Sequence, residues 1–444
     1  MKWALYNLLY GVVWLFLLPG FLLRMFRRGG YAARLGDRFA LYPDDVLAKL
    51  RSAKPVKSGE GCMDSSGHVV APPLEWVWVH AVSVGEVQVA GQLMREWRAV
   101  EPEVRFCFST TSSTGWKMAE REVSDRDVLI YNPLDFPNFA KSALATVRPR
   151  AIVLTESEIW PVFIRAAAKR RVPLFLVNAR VSDRSAPRYR MARFLFKDVF
   201  SCFARIFAQS ALDCRRLLAA GAPEAQVEVT GSFKFDVARR NEAKERELRD
   251  WLGGKCERIL LGGSTWPGED EALLGIAASI GDVALVIAPR HFEKADAVEA
   301  NIRKAGFGCV RRSRGERAPS DASKKVVYLA DTTGELMGLY GIADVVFVGK
   351  SLCEHGSQNM IEPCLCGKPT LVGPYTENFR PVMSDLLESD AIIQVADGQE
   401  LGREIARLFA NPPDAAALGA RATAAVLRRR GVVAKCVAEI RDLI

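Results

Sequence analysis

From Trp76 to Val87 the chain reads Trp-Val-Trp-Val-His-Ala-Val-Ser-Val-Gly-Glu-Val, an apolar, β-branched and aromatic run that stops at a glycine followed by a carboxylate. A strand covered on both faces has no reason to alternate polarity, so this run reads as a buried parallel strand. Gly85 is expected to supply the φ freedom for a sharp turn into a helix, which puts Glu86 at the carboxyl end of the strand. In open α/β sheets ligands bind at that edge, and a carboxylate held there near a helix start, partly out of water, suits general base work. The bland alternative is a first-turn Glu that only complements the helix dipole.

The same grammar repeats along the chain. Arg105 to Ser109 is a short strand ending in Thr110-Thr111-Ser-Ser-Thr-Gly115, a hydroxyl-rich turn that caps a helix or donates to a phosphate or sugar. Ala151 to Leu154 runs into Thr155-Glu156-Ser157-Glu158-Ile159-Trp160-Pro161, with two acidic side chains at a helix start, and Leu174 to Val177 ends at Asn178-Ala179-Arg180. Strands alternating with helices of ordinary length predict a parallel sheet built from right-handed crossovers. With 444 residues, 49% of them hydrophobic, the chain exceeds one core and predicts two domains of about 200 residues each. Val227 to Val229 leads into Gly231-Ser-Phe-Lys-Phe-Asp236, and the charged segment from Val237 to Asp250 reads as a solvated helix. The first domain is therefore placed at 29–236 and the second at 237–444.

In the second half, Arg258 to Leu261 is a strand before Gly262-Gly263-Ser264-Thr265-Trp266, where small residues let backbone N–H groups approach an anion. Val283 to Ala288 delivers Pro289-Arg290-His291, and the planar fork of Arg290 suits a phosphate or carboxylate. Val326 to Leu329 leads to Asp331-Thr-Thr-Gly-Glu335-Leu336. Val345 to Val348 leads to Gly349-Lys350-Ser-Leu-Cys-Glu-His355-Gly356-Ser357-Gln358-Asn359. Asn359 and Glu362, three apart, share one face near a helix start, where a carboxylate can accept from ribose hydroxyls; capping accounts for the pair equally well.

Residues 1–28 stand apart. Trp3 to Leu23 is apolar except for Asn7, long enough to span a bilayer, and Arg24, Arg27, Arg28, Arg34 and Arg38 follow it. That asymmetry predicts an uncleaved membrane anchor with the bulk of the chain cytoplasmic, although Pro19 and Gly20 also fit a shallow interfacial helix. Arg180, Arg184, Arg188, Arg190, Arg193 and Lys197 are interleaved with Tyr189, Met191, Phe194, Leu195 and Phe196, as in a basic, aromatic helix at a lipid surface or one packing its aromatics inward. A net charge of +9 favours anionic partners, yet no long basic run interleaved with aromatics points to nucleic acid. The ten Cys lack paired C-x-x-C spacing and the four His lack a His-x-x-x-His pattern, so no metal site is expected.

The order of these segments resembles the 3-deoxy-D-manno-octulosonic acid (Kdo) transferases of lipopolysaccharide inner-core synthesis. The carrying residues are the N-terminal anchor with Arg34-Leu-Gly-Asp-Arg-Phe39, His80 to Glu86, Thr155 to Pro161, Gly231 to Asp236, Pro289 to His291, Asp331 to Leu336, and Asn359-Met-Ile-Glu362-Pro363 through Asn378-Phe379. The resemblance implies an α/β fold of two Rossmann-like domains facing a cleft, the GT-B type of glycosyltransferase, at the cytoplasmic face of the inner membrane. It implies CMP-Kdo as donor, a lipid A precursor as acceptor, no cofactor, and Glu86 as general base, with Glu156 and Glu158 supporting the acceptor side or positioning a cation. Ser83, Gly85, Thr111 and Arg180 fall on the acceptor side. Gly263, Ser264, Thr265, Pro289, Arg290, His291, Glu335, Lys350, Gly356, Ser357, Gln358, Asn359 and Glu362 fall on the donor side. The chain departs from the family where Gly-Gly-Ser is usual, having Gly349-Lys350-Ser351, and where Gly-Gly-His-Asn is usual, having Gly356-Ser357-Gln358-Asn359. Lys350 or His355 could replace the lost cation. A membrane-associated transferase using another sugar nucleotide, or a tethered protein that binds nucleotide or lipid headgroup without turnover, are the competing readings.

Overall fold

The computed structural model describes residues 2–28, 32–55, 62–63, 65, 69–70, 73–237, 242–253, 258–317 and 325–444. The chain forms two compact units, Met1–Val237 with Gly431–Ile444, and Ala238–Arg430.

Strands β1 (Cys62–Met63) and β2 (Val69–Val70) pair antiparallel, while residues 56–61, 64, 66–68 and 71–72 lie outside the described residues. The first large sheet comprises β3 (Leu74–His80), β4 (Arg105–Thr110), β5 (Val128–Tyr131), β6 (Pro149–Thr155), β7 (Leu174–Ala179), β8 (Arg205–Ala208) and β9 (Val227–Val229). Its strands are parallel throughout and ordered β5-β4-β3-β6-β7-β8-β9. Alternation along β3 explains its unbroken apolar sequence. Trp76 and Trp78 enter one core with Ile152, Leu154, Phe163 and Phe200. Val77 and Val79 enter the opposite core with Leu93, Trp97, Phe108 and Val153, so both faces are dry.

The second sheet comprises β10 (Ile259–Thr265), β11 (Ala284–Pro289), β12 (Gly308–Arg311), β13 (Val326–Leu329), β14 (Val345–Val348), β15 (Thr370–Val372) and β16 (Ile393–Gln394). It too is parallel, ordered β12-β13-β11-β10-β14-β15-β16. In each sheet the strand order reverses once about its first long strand, between β3 and β6 and between β10 and β14.

The last helix corrects the expected boundary. Val432–Asp442 belongs to the first unit, where Val433, Cys436, Val437 and Ile440 cover the β3 face beside Val77 and Val79. Asp236 holds its start, accepting from the backbone N–H of Gly431 (2.7 Å) and Val433 (2.8 Å). The second domain thus ends near Arg430 because the first sheet needs this helix to close its second face.

The expected anchor is a helix, Lys2–Arg28, with Pro19 inside it. One side lies on the first unit: Trp3 and Tyr6 pack against its core, and the rings of Tyr10 and Trp14 meet Phe136 at 5.2 and 5.9 Å. Lys2 pairs with Asp198 at 2.7 Å. Among the described residues no helix is long and apolar enough to cross a membrane.

Removing the two charge-assisted bonds of Asp236 with Asp236→Ala should destabilise the first unit by about 2 kcal/mol. Amide hydrogen exchange across 432–442 should quicken while that of 398–427 stays unchanged; unchanged exchange in both would show that the carboxylate does not hold this helix.

Candidate active site

The reversal between β3 and β6 leaves a crevice at their carboxyl ends, and the chain places acidic side chains there. Ser83 caps the helix Val84–Val100: its hydroxyl accepts from Glu86 N–H (3.3 Å) and donates to Glu86 Oε1 (2.9 Å), while Val82 N–H donates to Glu86 Oε2 (2.9 Å). The carboxylate is oriented by one bond to each oxygen, which leaves a lone pair on each. Gly85 does not work as expected, since it has no positive φ and lies within the first helical turn. The turn comes from the Ser83 cap, and a Cβ on Gly85 would meet nothing within 4 Å.

At the end of β6, Glu156 takes a left-handed conformation, φ 51°, and Asn178 at the end of β7 does the same, φ 53°. Asn178 Nδ2 donates to Glu156 Oε1 (3.2 Å), and Asn178 Oδ1 accepts from Phe233 N–H (3.0 Å), tying the Gly231–Asp236 turn to the acidic crevice. Lys234 follows directly and faces Glu156. Burial raises the Glu156 carboxyl against the pull of Lys234, and burial lowers the Lys234 ammonium against the pull of Glu156. Arg180 acts electrostatically on both groups. A cationic side chain, Lys234, thus stands beside the paired glutamates; sequence reading missed it although it sits inside a quoted motif. Among the described residues no group of three or more His, Cys, Asp or Glu could hold a metal ion.

Glu158 is pushed up to about 7, first by burial and then by the charge of Glu86, with Trp160 Nε1–H donating at 3.0 Å. His80 lies beneath it, fully buried. Its Nδ1 meets the carbonyl (3.1 Å) and hydroxyl (2.9 Å) of Ser109, and its Nε2 stands unpartnered 3.8 Å from Glu158 Oε2. Burial lowers His80 to about 4, so the ring is neutral and gives Glu158 no counter-charge. The hydroxyl-rich turn is a cap: Ser112 accepts from Gly115 N–H (2.9 Å) and donates to the Val82 carbonyl (2.8 Å). Arg38, from the Arg34–Phe39 segment, donates to the Thr111 carbonyl at 2.6 Å. That segment locks the loop beside Glu86.

In the second unit the reversal between β10 and β14 brings together the two Gly/hydroxyl loops. Gly349 N–H donates to Gly263 O (2.9 Å), and Arg290 N–H donates to Thr265 O (3.0 Å). A single carboxylate fixes the junction. Glu269 is fully buried and accepts from the N–H groups of Trp266 (2.8 Å), Lys350 (2.9 Å), Ser351 (3.0 Å) and Leu352 (3.0 Å). Around it stand groups without partners: Thr265 Oγ1 and Trp266 Nε1 are buried and unbonded, and the exposed Arg290 guanidinium makes no ion pair among the described residues. Lys350 Nζ lies 4.8 Å from the Trp266 ring, beside this turn, whereas His355 is paired to Glu377 at 2.8 Å.

Asn359 Nδ2 donates to Glu362 Oε1 (3.0 Å), the shared face expected, and burial raises Glu362. Gly356 has φ 118°, and a Cβ there would run into the Asn378 side chain; Ser357 N–H donates to Lys350 O (2.7 Å) and Gln358 N–H to Gly349 O (3.1 Å). Glu335 is occupied elsewhere. Arg312, Thr332 and Lys244 surround it and, against its burial, hold it at about 2. His291 contacts Glu293 (3.3 Å) and the Trp266 ring at the exposed edge, next to Pro289 at the end of β11.

The profile of the 3-Deoxy-D-manno-octulosonic-acid transferase (kdotransferase) family matches residues 33–237. The chain is 31% identical over 374 residues to the 3-deoxy-D-manno-octulosonic acid transferase of Haemophilus influenzae, an overlap of 83% of this chain and 87% of that one. It is 32% identical over 400 residues to that of Bordetella pertussis, covering 87% and 91%. Against a bifunctional glycosyltransferase/methyltransferase of Fusobacterium nucleatum, 30% identical over 335 residues, the chain spans 52% of the relative's length. Among solved structures, HepE of Anabaena in complex with UDP matches 83% of this chain and all of its own at 15% identity and a TM-score of 0.58, a likeness of fold.

The raised Glu158 carboxyl sets a pH dependence. Below its ordinary 4.5 it is protonated whether the chain is folded or not; between 4.5 and about 7 the unfolded chain gives up the proton while the folded one keeps it, so stability falls as pH rises. The loss is on the order of 3 kcal/mol by neutral pH. Glu158→Gln should lack it, and the gap between variant and wild-type unfolding free energies in urea should widen in the variant's favour over that window. His80 contributes equally to both proteins, so parallel curves would mean that Glu158 is not perturbed.

Proposed function

The chain belongs to the 3-deoxy-D-manno-octulosonic acid transferase family, and on that premise we propose that it moves Kdo from CMP-Kdo to a hydroxyl of a lipid A precursor, with inversion, in lipopolysaccharide synthesis. The observation that carries the chemistry is the acidic crevice between β3 and β6, in which Glu86 is oriented by Ser83 and Val82 beside a carboxyl, Glu158, that holds its proton near neutral pH. Glu86 takes the proton from the acceptor hydroxyl as that oxygen attacks the anomeric carbon. The bond from that carbon to the CMP phosphate breaks, and its electron pair leaves with the phosphate.

Negative charge then grows on phosphate oxygens. Arg290 and Lys350, with the unbonded Thr265 hydroxyl and Trp266 N–H, are groups suited to receive it, and Asn359 with Glu362 is suited to the ribose. Protonated Glu158 donates rather than repels, and Lys234 offsets Glu156. The first unit is read as the acceptor side and the second as the donor side of a GT-B enzyme. We place the work at the cytoplasmic face of the inner membrane, supported by the exposed apolar side of the helix Lys2–Arg28, including Leu5, Leu8, Leu9, Val12, Val13 and Phe16.

Mass spectrometry of a reaction holding detergent-solubilised protein, freshly made CMP-Kdo and a tetraacylated lipid A precursor tests this reading. Wild type should give product, Glu86→Gln should fall by at least about a hundredfold, and CMP but not UDP should inhibit; no product from wild type would refute the reading. Glu269→Gln should weaken CMP binding in calorimetry by about tenfold, because a neutral amide accepts fewer of the four N–H groups that the carboxylate holds. Unchanged CMP affinity would show that the loop does not depend on it.

A further inference from the structure

On the first unit, a second concavity separates the helices Ala186–Met191 and Ala211–Ala220. It has a volume of about 340 Å³ and is lined by Asp183, Ala186, Pro187, Arg190, Arg215, Arg216 and Ala219. Three guanidiniums meet one carboxylate. Arg216 is committed, donating to the Val181 carbonyl at 2.6 Å and pairing with Asp183, whereas Arg190 and Arg215 are exposed and have no hydrogen bond or ion pair among the described residues. Ala186, Pro187 and Ala219 stand where a longer side chain would fill the space. The cavity is therefore left open, with two unspent fork-shaped cations at its walls, and a phosphate is the group that accepts from such forks.

What adjoins the cavity narrows the ligand further. Met191 and Phe194, one and four residues past Arg190, are 81% and 65% exposed, although their neighbours Tyr189 and Phe196 pack inward. Lys2 Nζ donates to the Phe194 carbonyl at 3.2 Å, so the helix Lys2–Arg28 begins at this edge, and its outer side carries Phe16 at 82% exposure with Leu5, Leu8, Leu9, Val12, Val13 and Leu15. A run of large apolar side chains beside a cationic cavity matches a molecule with an anionic head and hydrocarbon chains.

We propose that the Arg190–Arg215–Arg216 cavity is a binding site for the phosphate headgroup of an anionic membrane lipid, with Met191, Phe194 and the outer side of the N-terminal helix meeting the acyl region. The inference rests on the membrane-surface part of the functional reading and on nothing in the donor loops.

Vesicle flotation of the full-length protein tests it, with vesicles of phosphatidylcholine alone or mixed with phosphatidic acid. Wild type should partition several-fold more onto the mixed vesicles. The pair Arg190→Ala with Arg215→Ala should lose roughly thirtyfold in that partitioning, while Lys304→Ala with Arg403→Ala, an equal change of charge in the other unit, should lose less than threefold. Equal losses in the two pairs, or none in either, would overturn the site, as would displacement by millimolar sn-glycerol 3-phosphate, which would give the cavity to a soluble phosphate. Both pairs alter exposed side chains, and an unshifted melting temperature confirms their folds. Transfer activity in detergent is read alongside: wild type that binds vesicles through this cavity yet makes no Kdo product would leave the site standing and remove only the catalytic reading.

Discussion

A right-handed crossover can return to either side of the strand it left, and when successive crossovers take opposite sides the loops at the carboxyl edge part. Both units use that constraint. The helices following β3 and β6 diverge, as do the connections following β10 and β14, so each sheet opens one crevice that no side chain of the fold is obliged to fill. The groups read as the transfer machinery are set at those two places: Glu86, Glu156, Glu158 and Lys234 at one, Thr265, Arg290, Lys350 and Asn359 at the other. The crevices differ in sign because the segments entering them differ, carboxylates at helix starts in the first unit and guanidinium and ammonium groups beside small residues in the second.

Holding charged loops at a sheet edge requires buried polar groups that are fully bonded, since an orphaned N–H or carboxylate costs more than the bond it lacks. Glu269 shows how this is done in the second unit, where one buried carboxylate gathers four N–H groups from two loops far apart in sequence. In the first unit the same task falls to a neutral amide, Asn178, bridging Glu156 to the turn that carries Lys234. A carboxylate at 178 would add a fourth acidic side chain beside Glu86, Glu156 and Glu158, where burial and the charge of Glu86 already raise Glu158 to about 7.

How much of this could be read from sequence depended on which residues were fixed by local rules and which by distant ones. The central strands were legible because burial on both faces writes an apolar run, as in Trp76 to His80 or Val345 to Val348. The edge strands β5 and β12 are interrupted by half-buried positions, and β15 and β16 are too short to separate from a loop. The strand ends carrying Glu86, Glu156 and Arg290 were legible for the same reason as the strands. Lys234 and Glu269 were not, because their partners lie 78 and about 80 residues away in sequence. Glu335 looked like a site carboxylate for want of the knowledge that Arg312 and Lys244 surround it. Gly85 was misjudged by a local rule: the glycine signals a turn, but Ser83 makes it.

The two departures from the family pattern become intelligible once the backbone is seen. Lys350 and Ser357 replace glycines of the family pattern, and both sit in the left-handed region, with φ 58° and 61°. A Cβ there costs on the order of 1 kcal/mol at each position, so neither change is neutral for the fold. Each is held by the other, Ser357 N–H donating to Lys350 O at 2.7 Å, and Glu269 holds the N–H of Lys350 itself. The strain at 350 has a visible return, an ammonium 4.8 Å from the Trp266 ring and beside the unbonded Thr265 hydroxyl, at the turn where a departing phosphate would need charge. Gln358, standing where the pattern has a histidine, brings no charge of its own. The cation beside the Trp266 turn on this loop is therefore Lys350, and it stands on a backbone held in the left-handed region.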